Sequence, residues 1–135
     1  MFYFAYGSNL NHKQMKKTRC IGSKHIKNFL LKDYELSFCY PIIQNKFGYA
    51  NVIKKKGFQT PGAIWEITKE HEKILDSYEG FPKIYQKEFF YFNKKKVMFY
   101  IMHKYFIKDP PKSYVDTINK GYEDCNIDLR IKYRF

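Results

Sequence analysis

Phe2-Tyr3-Phe4-Ala5-Tyr6-Gly7-Ser8-Asn9-Leu10 opens the chain and sets its plan. The large residues from Phe2 to Tyr6 read as a β-strand, and Gly-Ser-Asn ends it in a sharp turn. Leu10 and the polar residues Asn11 to Lys17 then read as a short helix. A strand that turns straight into a helix aims several backbone N–H groups at one point, which makes an anion-binding nest. Gly7 lets a ligand come close to the backbone there. The same pattern also serves a plain strand-turn-helix junction with no ligand.

Working outward, the 135 residues bound the answer to one domain, 1–135, with enough apolar surface for a real core. Aromatic residues make up 20% of the chain, which argues against disorder. No apolar run approaches the ~20 residues that span a bilayer. The amino terminus lacks the basic and apolar regions of an export signal, so a cytosolic setting is expected. Cys20, Cys39 and Cys125 are widely spaced and form no C-x-x-C pair. They read as reduced thiols, and no zinc site is expected from them. His12, His25, His71 and His103 show no metal-ligand spacing and read as surface or packing residues.

The formal charge of +12 raises the question of nucleic acid. Only Arg19, Arg130 and Arg134 are arginines, however, and arginine is the better residue for bidentate phosphate and base recognition. Lysine excess beside abundant Ile, Asn, Phe and Tyr fits an AT-rich coding sequence. Solvated lysine faces are therefore expected rather than a nucleic-acid partner. Such a surface still attracts a small acidic substrate.

Further along, Phe29 to Leu31 and Tyr34 to Phe38 read as extended segments, the second stopped by Pro41. Gly48 to Ile53 reads as a strand, and Lys54-Lys55-Lys56-Gly57 as a solvated hairpin turn. Ala63 to Ile67 reads as another strand. Thr68 caps the following helix, whose apolar stripe is Ile67, Ile74, Leu75 and Tyr78. Gly80 ends it in a left-handed conformation, and Pro82 forbids its continuation. Two long strands are expected from Ile84 to Phe92 and from Val97 to about Ile107, joined by Lys94 to Lys96. Asp109-Pro110-Pro111 starts a last helix that buries Val115, Ile118 and Tyr122. Many strands with a few short helices make an α+β domain.

Leu75-Asp76-Ser77-Tyr78-Glu79-Gly80 is the second decisive stretch, and Pro110-Pro111-Lys112-Ser113-Tyr114 the third. With Tyr6-Gly7-Ser8-Asn9 they resemble, in order and over nearly the whole chain, the γ-glutamylcyclotransferase (AIG2-like) family. The resemblance implies a small twisted mixed β-barrel with peripheral helices. It also implies cyclisation of a γ-glutamyl compound to 5-oxoproline with release of the amine, without metal or cofactor. Glu79 matches the family's catalytic glutamate. Tyr3, Phe4, Ala5, Tyr6, Gly7 and Ser8 match its substrate loop, with Asn9 bracing the turn. Tyr100 and Tyr114 match pocket tyrosines, with core packing as the alternative for each.

The residues alone support part of this. Apolar neighbours Tyr78, Phe81 and Tyr85 and a helix C-terminus both disfavour a charged Glu79, as suits a group that must accept and then donate a proton. Asp76, three residues earlier, could orient Glu79 or nearby backbone, or merely sit on the surface. Ser8 lies in no G-x-S-x-G elbow, so a hydrolase nucleophile is not expected. The segment Glu79 to Lys87 looks like the γ-glutamylamine branch, while the other two motifs look like the branch acting on γ-glutamyl amino acids. A small-molecule partner and a monomer or homodimer, with no membrane partner, complete the expectation. Two rivals remain: a binding module that keeps the pocket without turnover, and a nucleic-acid binder.

Overall fold

Strand β1 (Phe2–Ala5) lies inside the sheet and is bonded on both sides. A computed structural model describes residues 1–42 and 47–132. After β1 come a turn of 3-10 helix (Ser8–Leu10) and a π-helix (Lys13–Arg19). There follow β2 (Lys24–Pro41), β3 (Tyr49–Glu66), α1 (Lys69–Glu79), β4 (Gln86–Phe92), β5 (Lys95–Ile101), β6 (Tyr105–Ile107) and α2 (Lys112–Asp124). The sheet order is β4-β5-β1-β3-β2-β6. β1 runs antiparallel to β3, with Ala5 opposite Ala63, and parallel to β5, with Tyr3 opposite Met98. The expected mixed sheet is therefore present, curled into a half-barrel with helices outside it.

Burial explains why β1 reads as a continuous run of large residues. Tyr3, Phe4, Ala5 and Tyr6 are all buried, as befits a strand covered on both faces. Phe4 meets Phe29 and Phe90 edge to face. On the far side α2 buries Val115, Ile118 and Tyr122, as its spacing requires.

Several boundaries differ from the sequence reading. The two extended segments within residues 29–38 belong to one 18-residue strand, β2. Lys54 to Gly57 is not a hairpin turn, because β3 continues through it for 18 residues. β2 and β3 are paired from Cys39 opposite Tyr49 to Lys24 opposite Glu66, and the irregularity at Asp33 absorbs the lysine run. The Gly57 N–H donates to Asp33 Oδ1 across this bulge (3.1 Å). Conversely, the expected strand from Val97 to Ile107 is two, because residues 102–104 leave the ladder between β5 and β6. Asn93 and Lys94 take positive φ in the β4–β5 turn, so Lys95 already belongs to β5. The helix after Asn9 is π-type rather than regular, and α2 begins at Lys112, after the two prolines.

Helix α1 follows its signals closely. Thr68 Oγ1 accepts from His71 N, and His71 Nδ1 accepts from Thr68 N, both at 3.1 Å. Gly80 takes the left-handed C-cap conformation at φ 64°, which suits glycine. Of its expected stripe, Ile67 and Leu75 are buried while Ile74 and Tyr78 are exposed, because only one edge of α1 meets the sheet.

Asn51 supplies what the interrupted strand lacks. Its buried amide donates to Met102 O (3.0 Å) and accepts from Met102 N (2.8 Å), standing in for a ladder pair. Asn51→Ala leaves both Met102 groups without partners, at about 1–3 kcal/mol each. Urea unfolding should show a loss of about 2–4 kcal/mol with an unchanged slope; a loss below about 0.5 kcal/mol would refute this role.

Candidate active site

Two connected chambers open beside the turn that follows β1. The inner one, about 30 Å³, is lined by Tyr3, Tyr6, Gly7, Ser8, Asn9, Ala50, Glu79, Tyr85, Tyr100 and Tyr114. The outer one, about 340 Å³, shares Ser8, Glu79, Tyr85 and Tyr114 with it and adds Gln14, Arg19 and Thr117 among others. Glu79 thus stands where the chambers meet.

The turn is built by short-range rules. Leu10 N bonds Gly7 O and Asn11 N bonds Ser8 O, which closes the 3-10 turn. The Ser8 and Asn9 N–H groups precede the first bond of that turn, as in the expected nest. Gly7 is required for packing as much as for ligand approach, since a Cβ there would lie 2.8 Å from Ala50 Cβ. Asn9 braces the bend through its side chain. Its Nδ2 donates to Tyr3 Oη (2.9 Å), and its Oδ1 accepts from Gln14 Nε2 and Arg19 Nη1, both at 3.0 Å. Gln14 Nε2 also donates to Ser8 Oγ (2.9 Å).

Glu79 comes from the last turn of α1 and Tyr100 from β5. Tyr114 lies in the first turn of α2. Lys87 on β4 ties these elements together. Its Nζ reaches Glu72 and Asp76, each at 2.8 Å, and lies over the Phe81 ring. Asp76 in turn accepts a 2.6 Å bond from Tyr100 Oη. Asp76 therefore anchors the end of α1 to β4 and β5 and holds Tyr100.

Burial raises the Glu79 carboxyl from 4.5 to about 7, and the Arg19 guanidinium opposes the rise. Glu79 as a residue is only partly buried, so the carboxyl is screened from water yet reachable through the outer chamber. Among the described residues no hydrogen bond or ion pair holds that carboxyl. Its surroundings differ from the sequence expectation. Tyr85 lines both chambers and Tyr78 the outer one, with Arg19 on its face, whereas Phe81 lines neither and carries Lys87 on its face.

The five tyrosines of the inner chamber divide by proton direction. Tyr6 donates to Tyr100 O, Tyr85 to Ala50 O and Tyr100 to Asp76, each at 2.6 Å. Tyr3 accepts from Asn9, and Tyr114 accepts from Ala50 N (3.1 Å), which leaves each a hydroxyl proton to give. Burial holds all five phenols well above their ordinary range, so they remain neutral.

The chambers bring together Tyr3, Tyr6, Gly7, Ser8, Asn9, Glu79, Tyr100 and Tyr114. Phe4 and Ala5 line neither. Strand alternation turns Phe4 into the aromatic cluster with Phe29 and Phe90, and Ala5 is buried opposite Ala63. Arg19, Gln14 and Lys87 escaped the sequence reading because they resemble the surface cations and amides around them. Tyr85 was noted only as a neighbour of Glu79.

The half-barrel sets a raised-pKa carboxyl beside a glycine turn and neutral phenols, an arrangement that is able to exchange a proton. The sequence profile described as "Gamma-glutamyl cyclotransferase, AIG2-like" matches residues 3–122. The chain belongs to the γ-glutamyl cyclotransferase, AIG2-like family. No curated protein matches the sequence. A solved structure called "Gamma-glutamyl cyclotransferase" superposes with TM-score 0.80 at 22% identity over 95% of this chain and 81% of its own. An uncharacterised human protein gives 0.82 at the same identity and coverages. A mouse AIG2-like protein gives 0.55 at 18% identity over 84% and 80%. At these identities the likeness is one of fold.

Glu79 leaves a signature in stability. Its folded pKa, about 7, lies above the ordinary 4.5, so the folded state binds more protons between those values. Stability from this group is full at low pH and is lost as pH rises through that window. The unfolding free energy of wild type minus that of Glu79→Gln should therefore fall between pH 4.5 and about 7 and flatten above it. A flat difference across the window would show an ordinary solvated carboxylate.

Proposed function

We propose that this protein is a γ-glutamylcyclotransferase that closes a γ-glutamyl compound into 5-oxoproline, with Glu79 as the single acid–base group. The observation that carries this reading is the Glu79 carboxyl, without a hydrogen-bond partner among the described residues and raised to about 7, facing the Tyr6-Gly7-Ser8-Asn9 turn across one chamber. A group with a pKa near working pH can take a proton and give it back.

The glutamyl head sits where the two chambers meet at Glu79, with its α-carboxylate against the N–H groups of the Ser8 turn. Folding the head back on itself presents the α-nitrogen to the γ-carbonyl carbon, an orientation effect worth up to ~7–11 kcal/mol. Glu79 removes a proton from the α-ammonium, and the neutral amine forms the new N–C bond. Tyr3 and Tyr114 hydroxyls donate to the oxygen that gains charge. The amide C–N bond then breaks as Glu79 returns its proton to the leaving nitrogen. The attacking nitrogen passes its second proton to the released amine, so the products are the five-membered lactam and an ammonium, and atoms and charge balance without an added reactant.

The leaving half extends into the outer chamber, where Arg19 stands beside Gln14. Arg19 already stacks on Tyr78 at 4.0 Å, so its guanidinium is held in place to meet a carboxylate. This favours a γ-glutamyl amino acid over a γ-glutamylamine. A cytosolic, reducing setting fits the three buried free thiols.

Mass spectrometry of γ-glutamyl dipeptides, glutathione, γ-glutamyl-lysine and simple γ-glutamylamines should find 5-oxoproline, most from substrates with a carboxylate on the leaving half. Glu79→Gln should lower kcat by about 10²–10⁴-fold while the folded state remains. Wild-type kcat/KM should rise with pH to a midpoint near the Glu79 value of about 7. Saturable binding with no 5-oxoproline from any substrate would replace this reading with a binding module.

A further inference from the structure

We propose that His12, His25 and Cys125 form a binding site for one zinc ion, outside the two chambers. The three residues come from distant parts of the chain: the link before the π-helix, the start of β2 and the residue after α2. Their ligand-type atoms all lie within 4.8 Å of one another. Cys125 Sγ is 3.4 Å from His12 Nε2. Zinc bound at ~2.3 Å to sulfur and ~2.0–2.1 Å to nitrogen sets its tetrahedral ligands roughly 3.3–3.6 Å apart. One edge of that tetrahedron is in place, and the His25 donor must close in from within 4.8 Å to complete the face.

The surroundings hold the donors as ligands are usually held. Asn28 Nδ2 donates to Cys125 O (2.8 Å), which turns its Oδ1 toward His25 Nε2 at 2.9 Å. A carbonyl only accepts, so the Asn28 orientation is set. His25 must then carry its proton on Nε2, leaving a lone pair on Nδ1. Asp124 Oδ2 accepts from His12 N (3.0 Å), fixing the backbone beneath that ligand and placing a carboxylate nearby. Lys120 is bound to the same Asp124 at 3.2 Å, and Lys16, over the Trp65 ring at 5.8 Å, is the cation that faces both His12 and Cys125. Both imidazoles rest against Trp65, with ring centres 5.2 and 5.3 Å away.

Two imidazoles and a thiolate form a borderline-soft set that suits zinc and excludes magnesium or calcium. Cys125 is buried while His12 and His25 are partly exposed, so solvent can supply the fourth ligand. Binding converts the Cys125 thiol to thiolate and releases its proton to solvent. The ion joins the segment after the Ser8–Leu10 turn to the end of α2, where Cys125 Sγ already lies 3.4 Å from Leu10 O. It would clamp the base of the substrate turn without touching substrate.

The test uses the untagged full-length chain, stripped of metal and titrated with cobalt(II) and then with zinc against a chromophoric chelator. One equivalent should bind. Cobalt should give a thiolate charge-transfer band, and zinc should raise the thermal midpoint. Cys125→Ser should abolish the band, His25→Gln should weaken zinc binding about tenfold or more, and Cys20→Ser and Cys39→Ser should change neither. Because Cys125→Ser removes a buried group and could fail to fold, His25→Gln and the wild-type cobalt spectrum decide independently. Absence of a sulfur band in wild type, or zinc affinity unaltered in His25→Gln, would reduce the cluster to a hydrogen-bonded Cys–His pair and overturn the site.

Discussion

Two-sided pairing of β1 is the constraint on which the rest rests. A four-residue strand is too short to hold a loop in place alone. Bonded to β3 on one side and β5 on the other, it is held along both edges. The turn at Gly7 to Leu10 follows directly from it, and α2 covers it from outside. Tyr3, at the heart of the strand, also reaches the chamber, so core and site share a side chain.

Against this turn the structure sets a carboxyl group screened from water and, among the described residues, without a hydrogen bond. Such a group is costly to keep charged, and the fold does not relieve it with a close cation. Arg19 comes near enough to oppose the shift but forms no ion pair with Glu79. Nearby Asp76 has the opposite treatment, bound by Lys87 and Tyr100. Two acids on successive turns of one helix are therefore treated differently: Asp76 is tied to β4 and β5, while Glu79 is left unbonded among the described residues. That contrast is how environments usually assign roles to paired acids.

Legibility in the sequence followed the range of the interactions. Thr68, Gly80 and the strand ending in Gly-Ser-Asn obey local rules, and the structure bears them out. The lysine run at 54–56 misled because polar residues beside a glycine look the same in a turn and in an exposed bulge. What ties that run down is Asp33 of β2, which accepts from Gly57 N across the bulge, a neighbour in space that periodicity does not reveal. Residues 102–104 misled in reverse, since their composition continues a strand while Asn51, half the chain away, takes over the bonding.

By itself the sequence determined the class of fold, the cap and end of α1, the buried face of α2 and, through three ordered motifs, the family. Glu79 and the turn were legible as candidates because their residue types and order carry the chemistry. Only the tertiary structure decided that they face one another and that Phe4 and Ala5 turn elsewhere. It also decided that Arg19 and Lys87 flank the site and that His12, His25 and Cys125 meet. The physical reason is that short-range steric and capping preferences are encoded in neighbouring residues. Desolvation and convergence arise when the sheet curls and brings distant side chains out of water together.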